Sequence, residues 1–198
     1  MTRTHILSLL KGGDRRSIGR SDEVVAIVSK NQSLFPELME GWWSLDPVVR
    51  MRSADATEKV SRKKTELLLP YKKEFLGLMA EAKQPELRWH LAAIVPRLSL
   101  SSKERQRAAF LLSRYLGDHS SIVKTFALQG LAELTLDEPS IRSEVMEILR
   151  EATRTGTPAM KARSRKLLLH FDATGTPNAT AQRVGNRNNR FVGVPLAQ

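Results

Sequence analysis

Four short segments recur along this chain at nearly constant spacing: Asp46-Pro47-Val48-Val49-Arg50, Gln84-Pro85-Glu86-Leu87-Arg88, Ser120-Ser121-Ile122-Val123-Lys124 and Thr157-Pro158-Ala159-Met160-Lys161. Each opens on a turn or cap residue and closes on an apolar residue followed by a base, and the bases lie 38, 36 and 37 residues apart. The register continues downstream. Small residues follow (Ser53 and Ala54, Ala92, Ala127, Ser164), then Thr57, Val95, Leu131 and Leu168, then Val60, Leu98, Leu134 and Phe171. Those offsets share one helical face. A period of this length carrying helical stripes predicts a stack of helix pairs, each burying its apolar face against the next.

The rest of the body agrees. Apolar residues fall at helical spacing between breaks of Pro, Gly, Asp or Ser, and no alternating strand pattern competes. Helices are expected over roughly 22–31, 34–45, 47–62, 67–83, 85–97, 102–117, 119–135, 139–155 and 157–171. Pro36 and Pro70 fall near starts, where a missing N–H costs little, and Pro96 should stop or kink its helix. A helix opens at Ser21, with Asp22 and Glu23 suiting its positive end. Residues 1–20 read as a basic flexible segment, 21–171 as one helical repeat domain, and 172–198, with little apolar content and no helical period, as a disordered tail.

In the first repeat, Asp46-Pro47-Val48-Val49-Arg50 through Ala56 resembles the second helix of a HEAT repeat, and residues 119–134 are similar to it. The spacing is slightly shorter than is usual for HEAT units, but the tetratricopeptide alternative lacks its Trp-x-x-Leu-Gly-x-x-Tyr signature. The stretch Gly12-Gly13-Asp14-Arg15-Arg16-Ser17-Ile18-Gly19-Arg20 ahead of such repeats also resembles small bacterial HEAT-repeat proteins of unassigned function. The resemblance implies an all-α superhelix, an armadillo-like solenoid of antiparallel hairpins whose concave face binds a macromolecule.

The chain carries 32 Lys and Arg against 21 Asp and Glu, a net charge of +11 that favours acidic partners. More than half of the excess lies at the ends: residues 1–21 carry five bases and one acid, and residues 172–198 three and one. There is no cysteine, so thiolate metal sites and Cys nucleophiles are excluded, and a reducing, cytoplasmic setting fits. The run Ile6 to Leu10 is too short for a signal-peptide core or a membrane span.

The aligned bases Arg50, Arg88, Lys124 and Lys161 read first as a ladder holding the repeats together, with nucleic-acid contact as the alternative. The concave surface should carry the positions one, five and eight after each base: Met51, Asp55 and Glu58; Trp89, Ala93 and Pro96; Thr125, Gln129 and Ala132; Ala162, Lys166 and Leu169. Flanking positions add Arg52 and Lys59, His90 and Arg97, Phe126 and Glu133, Arg163 and His170. Trp89 then stands at the centre of a groove with Arg52, His90, Arg97, Arg163 and Lys166 around it, able to anchor a protein or stack a base.

Catalytic motifs are missing from the sequence. His5, His90, His119 and His170 lack metal-ligand spacing, and no phosphate loop, dinucleotide fingerprint or nucleophile elbow occurs. The spacing of Trp42 and Asp46 is similar to the Trp and Asp pairs of HEAT-like alkylated-base DNA glycosylases, yet Asp46 already serves as a cap before Pro47. The expected function is therefore that of a non-catalytic scaffold for a protein partner, without cofactor, metal, small-molecule substrate or membrane. Nucleic-acid binding through the groove and the basic ends is the alternative, and the glycosylase reading the third.

Overall fold

A computed structural model describes residues 5–14 and 16–175, and all regular structure among them is helical. Nine α-helices follow in order: α1 (Ser21–Lys30), α2 (Phe35–Glu40), α3 (Pro47–Ser61), α4 (Lys72–Glu81), α5 (Pro85–Ile94), α6 (Ser102–Tyr115), α7 (Ser121–Leu134), α8 (Arg142–Thr155) and α9 (Pro158–Gly175). Short 3₁₀ turns precede or extend several of them, at Ile6–Leu10, Gly41–Trp43, Thr65–Tyr71 and Val95–Arg97 among others.

The recurring segments are the starts of α3, α5, α7 and α9. Pro stands at the first helical position after Asp46, Gln84 and Thr157, where its fixed φ favours the helix and its missing N–H is not needed. The Asp46 carboxylate accepts from Val48 N at 2.8 Å, Ser120 Oγ from Val123 N at 3.4 Å and Thr157 Oγ1 from Met160 N at 3.3 Å. Pro70 explains the late start of α4: it disfavours α geometry in the residue before it, so residues 65–71 run as 3₁₀ and the α-helix begins at Lys72. Likewise α5 ends at Ile94 and continues through Pro96 only as a 3₁₀ turn.

The chain forms two compact units dividing between Ser101 and Ser102, a hairpin boundary, where a single body over 21–171 was expected. In the first, α2 pairs with α3 and α4 with α5, and α3 packs against both α1 and α5. Trp42 and Phe75, each at most 1% exposed, meet edge-to-face at 5.2 Å between ring centroids, and the Trp42 indole N–H donates to Thr57 Oγ1 at 3.0 Å. Two such buried rings contribute on the order of 2–3 kcal/mol each. In the second unit, α6 pairs with α7, α8 with α9, and α7 lies against α9. Its outer helix α8 buries Val145, Leu149 and Ala152, one face at helical spacing.

The ends depart from expectation in opposite ways. Within the expected leader, Ile6 and Leu10 are buried, and the turn Ile6–Leu10 lies against α3 and α1. At the other end α9 runs on to Gly175, so the expected tail begins as helix; its residues 176–198 lie outside the described ones. No helix among the described residues is long and apolar enough to cross a membrane.

Candidate functional site

The centre of the first unit is α3, and its polar residues are mostly buried. Flanked by α1 and the turn Ile6–Leu10 on one side and by α5 on the other, it buries Arg52, Asp55 and Glu58 at 3%, 7% and 4% exposure. Buried charge is costly unless it is paired or fully hydrogen-bonded, and two polar seams meet that demand here.

On the α1 side, Arg52, Asp55 and Lys59 succeed one another about one turn apart. The Arg52 guanidinium donates to the carbonyls of Ser17 (3.0 Å), Leu10 (2.9 Å), Lys11 (3.4 Å), Gly12 (2.7 Å) and Asp14 (3.2 Å). This wrap requires glycine: Gly13 and Gly19 have φ of 71° and 54°, and a Cβ on Gly19 would come within 2.6 Å of Arg52 Cζ. The Asp55 carboxylate accepts from Ser21 Oγ at 2.5 Å, and Lys59 Nζ bridges Asp55 at 2.8 Å and Asp22 at 2.7 Å. Burial alone lowers the Lys59 ammonium pKa, but the two carboxylates outweigh it and hold the pKa above its usual value.

On the α5 side, Glu58 receives Arg97 Nη2 at 2.5 Å and Arg62 Nη2 at 2.8 Å. Burial pushes the Glu58 pKa up, and the two guanidiniums more than reverse this, so it lies below the ordinary carboxylate range. His90, fully buried one helical turn after Glu86, has no hydrogen-bond partner for either ring nitrogen among the described residues, and Glu86 Oε2 has none either. Burial, then the charges of Lys59, Arg62 and Arg97, hold the His90 pKa well below its usual value, so the ring is neutral.

The expected groove residues divide between the two units, and each is described in its own. Arg52 is buried in the carbonyl cage, His90 is buried, and Arg97 is spent on Glu58. Trp89 is half-buried, its ring tilted by 34° against that of His90 at 3.4 Å between centroids. In the second unit Arg163 is 8% exposed and donates to Gln129 Oε1 at 3.0 Å, while Gln129 donates to Glu133; Lys166 is exposed. The positions assigned to an open surface on α3, Met51, Asp55 and Glu58, are buried because α3 is flanked on both sides, as are Ala93, Pro96, Thr125, Gln129 and Ala132.

Two of the four aligned bases, Arg50 and Arg88, have a structural use. Arg50 donates to the carbonyls of Ser44 (2.6 Å) and Leu45 (3.2 Å) and to Gln84 Oε1 (3.0 Å), and Gln84 returns a bond to Pro47 O at 3.0 Å. Arg88 repeats the first of these contacts, reaching Ala82 O, also six residues back, at 2.7 Å. Trp42 and Asp46, the pair of the glycosylase reading, serve as a buried core indole and a helix cap.

Two features went unread in the sequence. One is the glycine wrap around Arg52, whose signal was the glycines at 12, 13 and 19. The other is the turn before α3, where Trp43 is 50% exposed and Leu45 97% exposed on backbone that Arg50 fastens. No protein-family model, curated protein or solved structure matches this chain.

Proposed function

We propose that this chain is a non-catalytic adaptor of HEAT-like helix pairs that binds a protein partner, and that the Trp43-Ser44-Leu45 turn is its contact point. One observation carries the reading. A Leu 97% exposed stands two residues from a half-exposed Trp, on a turn whose carbonyls are tied down by Arg50. An apolar projection held rigid before binding loses little conformational entropy on docking, and Trp is the side chain most often found to dominate an interface. The HEAT-like part rests on the helix starts at a spacing of 36 to 38 residues and on the side-by-side packing of α3 with α5 and of α7 with α9. The non-catalytic part rests on the use of the buried charges of α3, which bond to neighbouring side chains and to backbone carbonyls.

The test is quantitative affinity capture from nuclease-treated lysate of the source cells. Wild type is compared with Trp43→Ser/Leu45→Ser and with Phe110→Ser, which removes an exposed apolar group from the second unit. A partner lost from the double variant and kept by Phe110→Ser is expected. Identical protein profiles from all three would refute the assignment, as would nucleic acid captured without protein.

A further inference from the structure

The loop around Arg52 has an unusual polarity. Five carbonyl oxygens from Leu10 to Ser17 turn inward to one guanidinium, so the partial negative poles of the backbone are withdrawn from its outer surface. That surface keeps the donors. The amides of Gly12 and Gly13, both exposed, donate to nothing among the described residues, and both glycines lie in the left-handed region. Lys11 and Arg16 are exposed and take part in no ion pair among the described residues, whereas Arg20 is held by Glu23 at 2.7 Å. The only acidic residue of 11–20, Asp14, turns its carboxylate onto Arg16 N at 2.8 Å, within the loop itself. Behind all of this lies the positive charge of Arg52, which meets no carboxylate among the described residues.

We infer that residues 11–14 and 16–20 form a docking surface for the phosphate backbone of a nucleic acid, in which the Gly12 and Gly13 amides and the Lys11 and Arg16 side chains meet phosphates. Backbone N–H groups gathered on glycine-rich turns bind anions by hydrogen bonding without needing a full charge of their own. Every described residue of 11–20 is exposed, so no wall encloses a small anion; affinity at such a surface comes from several phosphates held together on one polymer. The loop has no aromatic side chain to stack on a base, and the contact is therefore indifferent to sequence. The role of Arg52 is positional: it shapes the loop and points its oxygens away from the ligand.

The experiment is fluorescence anisotropy of a short labelled DNA duplex with the full chain, titrated at several salt concentrations. Lys11→Ala/Arg16→Ala, which alters two exposed side chains, should keep the wild-type melting temperature, lose about tenfold in affinity or more at about 50 mM salt, and flatten the log–log salt slope by about 1.8, since each phosphate contact contributes roughly 0.9. Lys73→Ala/Lys83→Ala removes the same charge from exposed positions elsewhere in the first unit and should leave affinity nearly unchanged. Absence of a wild-type complex at low salt would overturn the inference, as would equal losses from the two double variants. So would a third result: loop-dependent binding to phosphatidylserine vesicles with duplex binding unaffected by the loop variant.

Discussion

Replacing Arg52 with Met tests whether one buried guanidinium orders the segment before α1. Three of its five carbonyl contacts, to Gly12, Leu10 and Ser17, are 3.0 Å or shorter. Hydrogen bonds from a charged donor contribute about 1.5–3 kcal/mol each, which for three gives an upper bound of about 5–9 kcal/mol. Two effects reduce this. The described residues of 11–20 are exposed, so their carbonyls regain water when the cage is lost, and the buried Met side chain returns about 2 kcal/mol of apolar burial. The net cost is about 2–4 kcal/mol, falling on the local opening of the loop. The assay is limited trypsin digestion followed by mass spectrometry, scoring cleavage after Arg15, Arg16 and Arg20. When reclosing is faster than cleavage, the rate follows the opening equilibrium, so the cost becomes a rise of about 30- to 1000-fold. Arg52→Lys, with three donors for five carbonyls, should fall between. A rise below about threefold for Met, with the body still folded, would refute the claim that Arg52 holds this segment.

His90 predicts a pH dependence of stability. Its folded pKa lies well below the ordinary 6.5, so as pH falls below that value the unfolded chain takes up a proton that the folded chain refuses. Stability is fully present above about pH 6.5 and declines below it by at most about 1.4 kcal/mol per pH unit. Urea melts from pH 7.5 down to 5 should show this slope, and His90→Leu should flatten it; an unchanged slope would clear His90. Glu58 acts in a lower window, since its folded pKa is below 4.5: its stabilisation is present above that value and disappears as pH falls through the folded one. Glu58→Gln at neutral pH should cost about 2–3 kcal/mol in chemical denaturation, less than the roughly 3–5 of a fully buried pair because Arg62 keeps access to water. Thr57→Val leaves the Trp42 indole N–H buried without its acceptor and should cost about 1–3 kcal/mol by the same measurement, whereas the same substitution made in a Trp42→Phe background, where no indole N–H is left unpaired, should cost less.

The helical body was legible because two independent signals agreed. Apolar spacing gave helix type, and the repeated cap, Pro and base gave the starts of α3, α5 and α7 to within two residues, and α9 to within one. Arg50 was readable as a structural base because Asp46 and Pro47 placed it on the first turn of a helix facing the preceding loop. Burial of α3 was not readable. Its seam residues Arg52, Asp55, Glu58 and Lys59 look like a solvated face, and in a sequence such a stripe is indistinguishable from an open groove. The information that decides the matter lies about 30 to 40 residues away, in Ser21, Asp22, Arg97 and the carbonyls of 10–17. Backbone carbonyls carry no residue identity at all, so a cage built from them leaves only its glycines as a trace.

This same chemistry bears on where the proposed partner would be met. A buried ion pair gains little net stability over an apolar core, and its best-attested use is to fix one arrangement among several. Along α3 the charged stripe specifies which segment lies on each side: carbonyls of 10–17 saturate Arg52, Ser21 and Asp22 complete Asp55 and Lys59, and Arg97 completes Glu58. Groups committed in this way have no free bonding capacity, so a ligand could reach them only by displacing part of the fold. On the proposed reading, recognition passes to side chains left unpaired when these seams closed. In the first unit those include Trp43 and Leu45 at the turn before α3, and Lys11 and Arg16 on the loop around Arg52. The net charge of +11 does not locate a basic groove, because two of the Arg side chains expected to line one, Arg52 and Arg97, are already bonded within the fold.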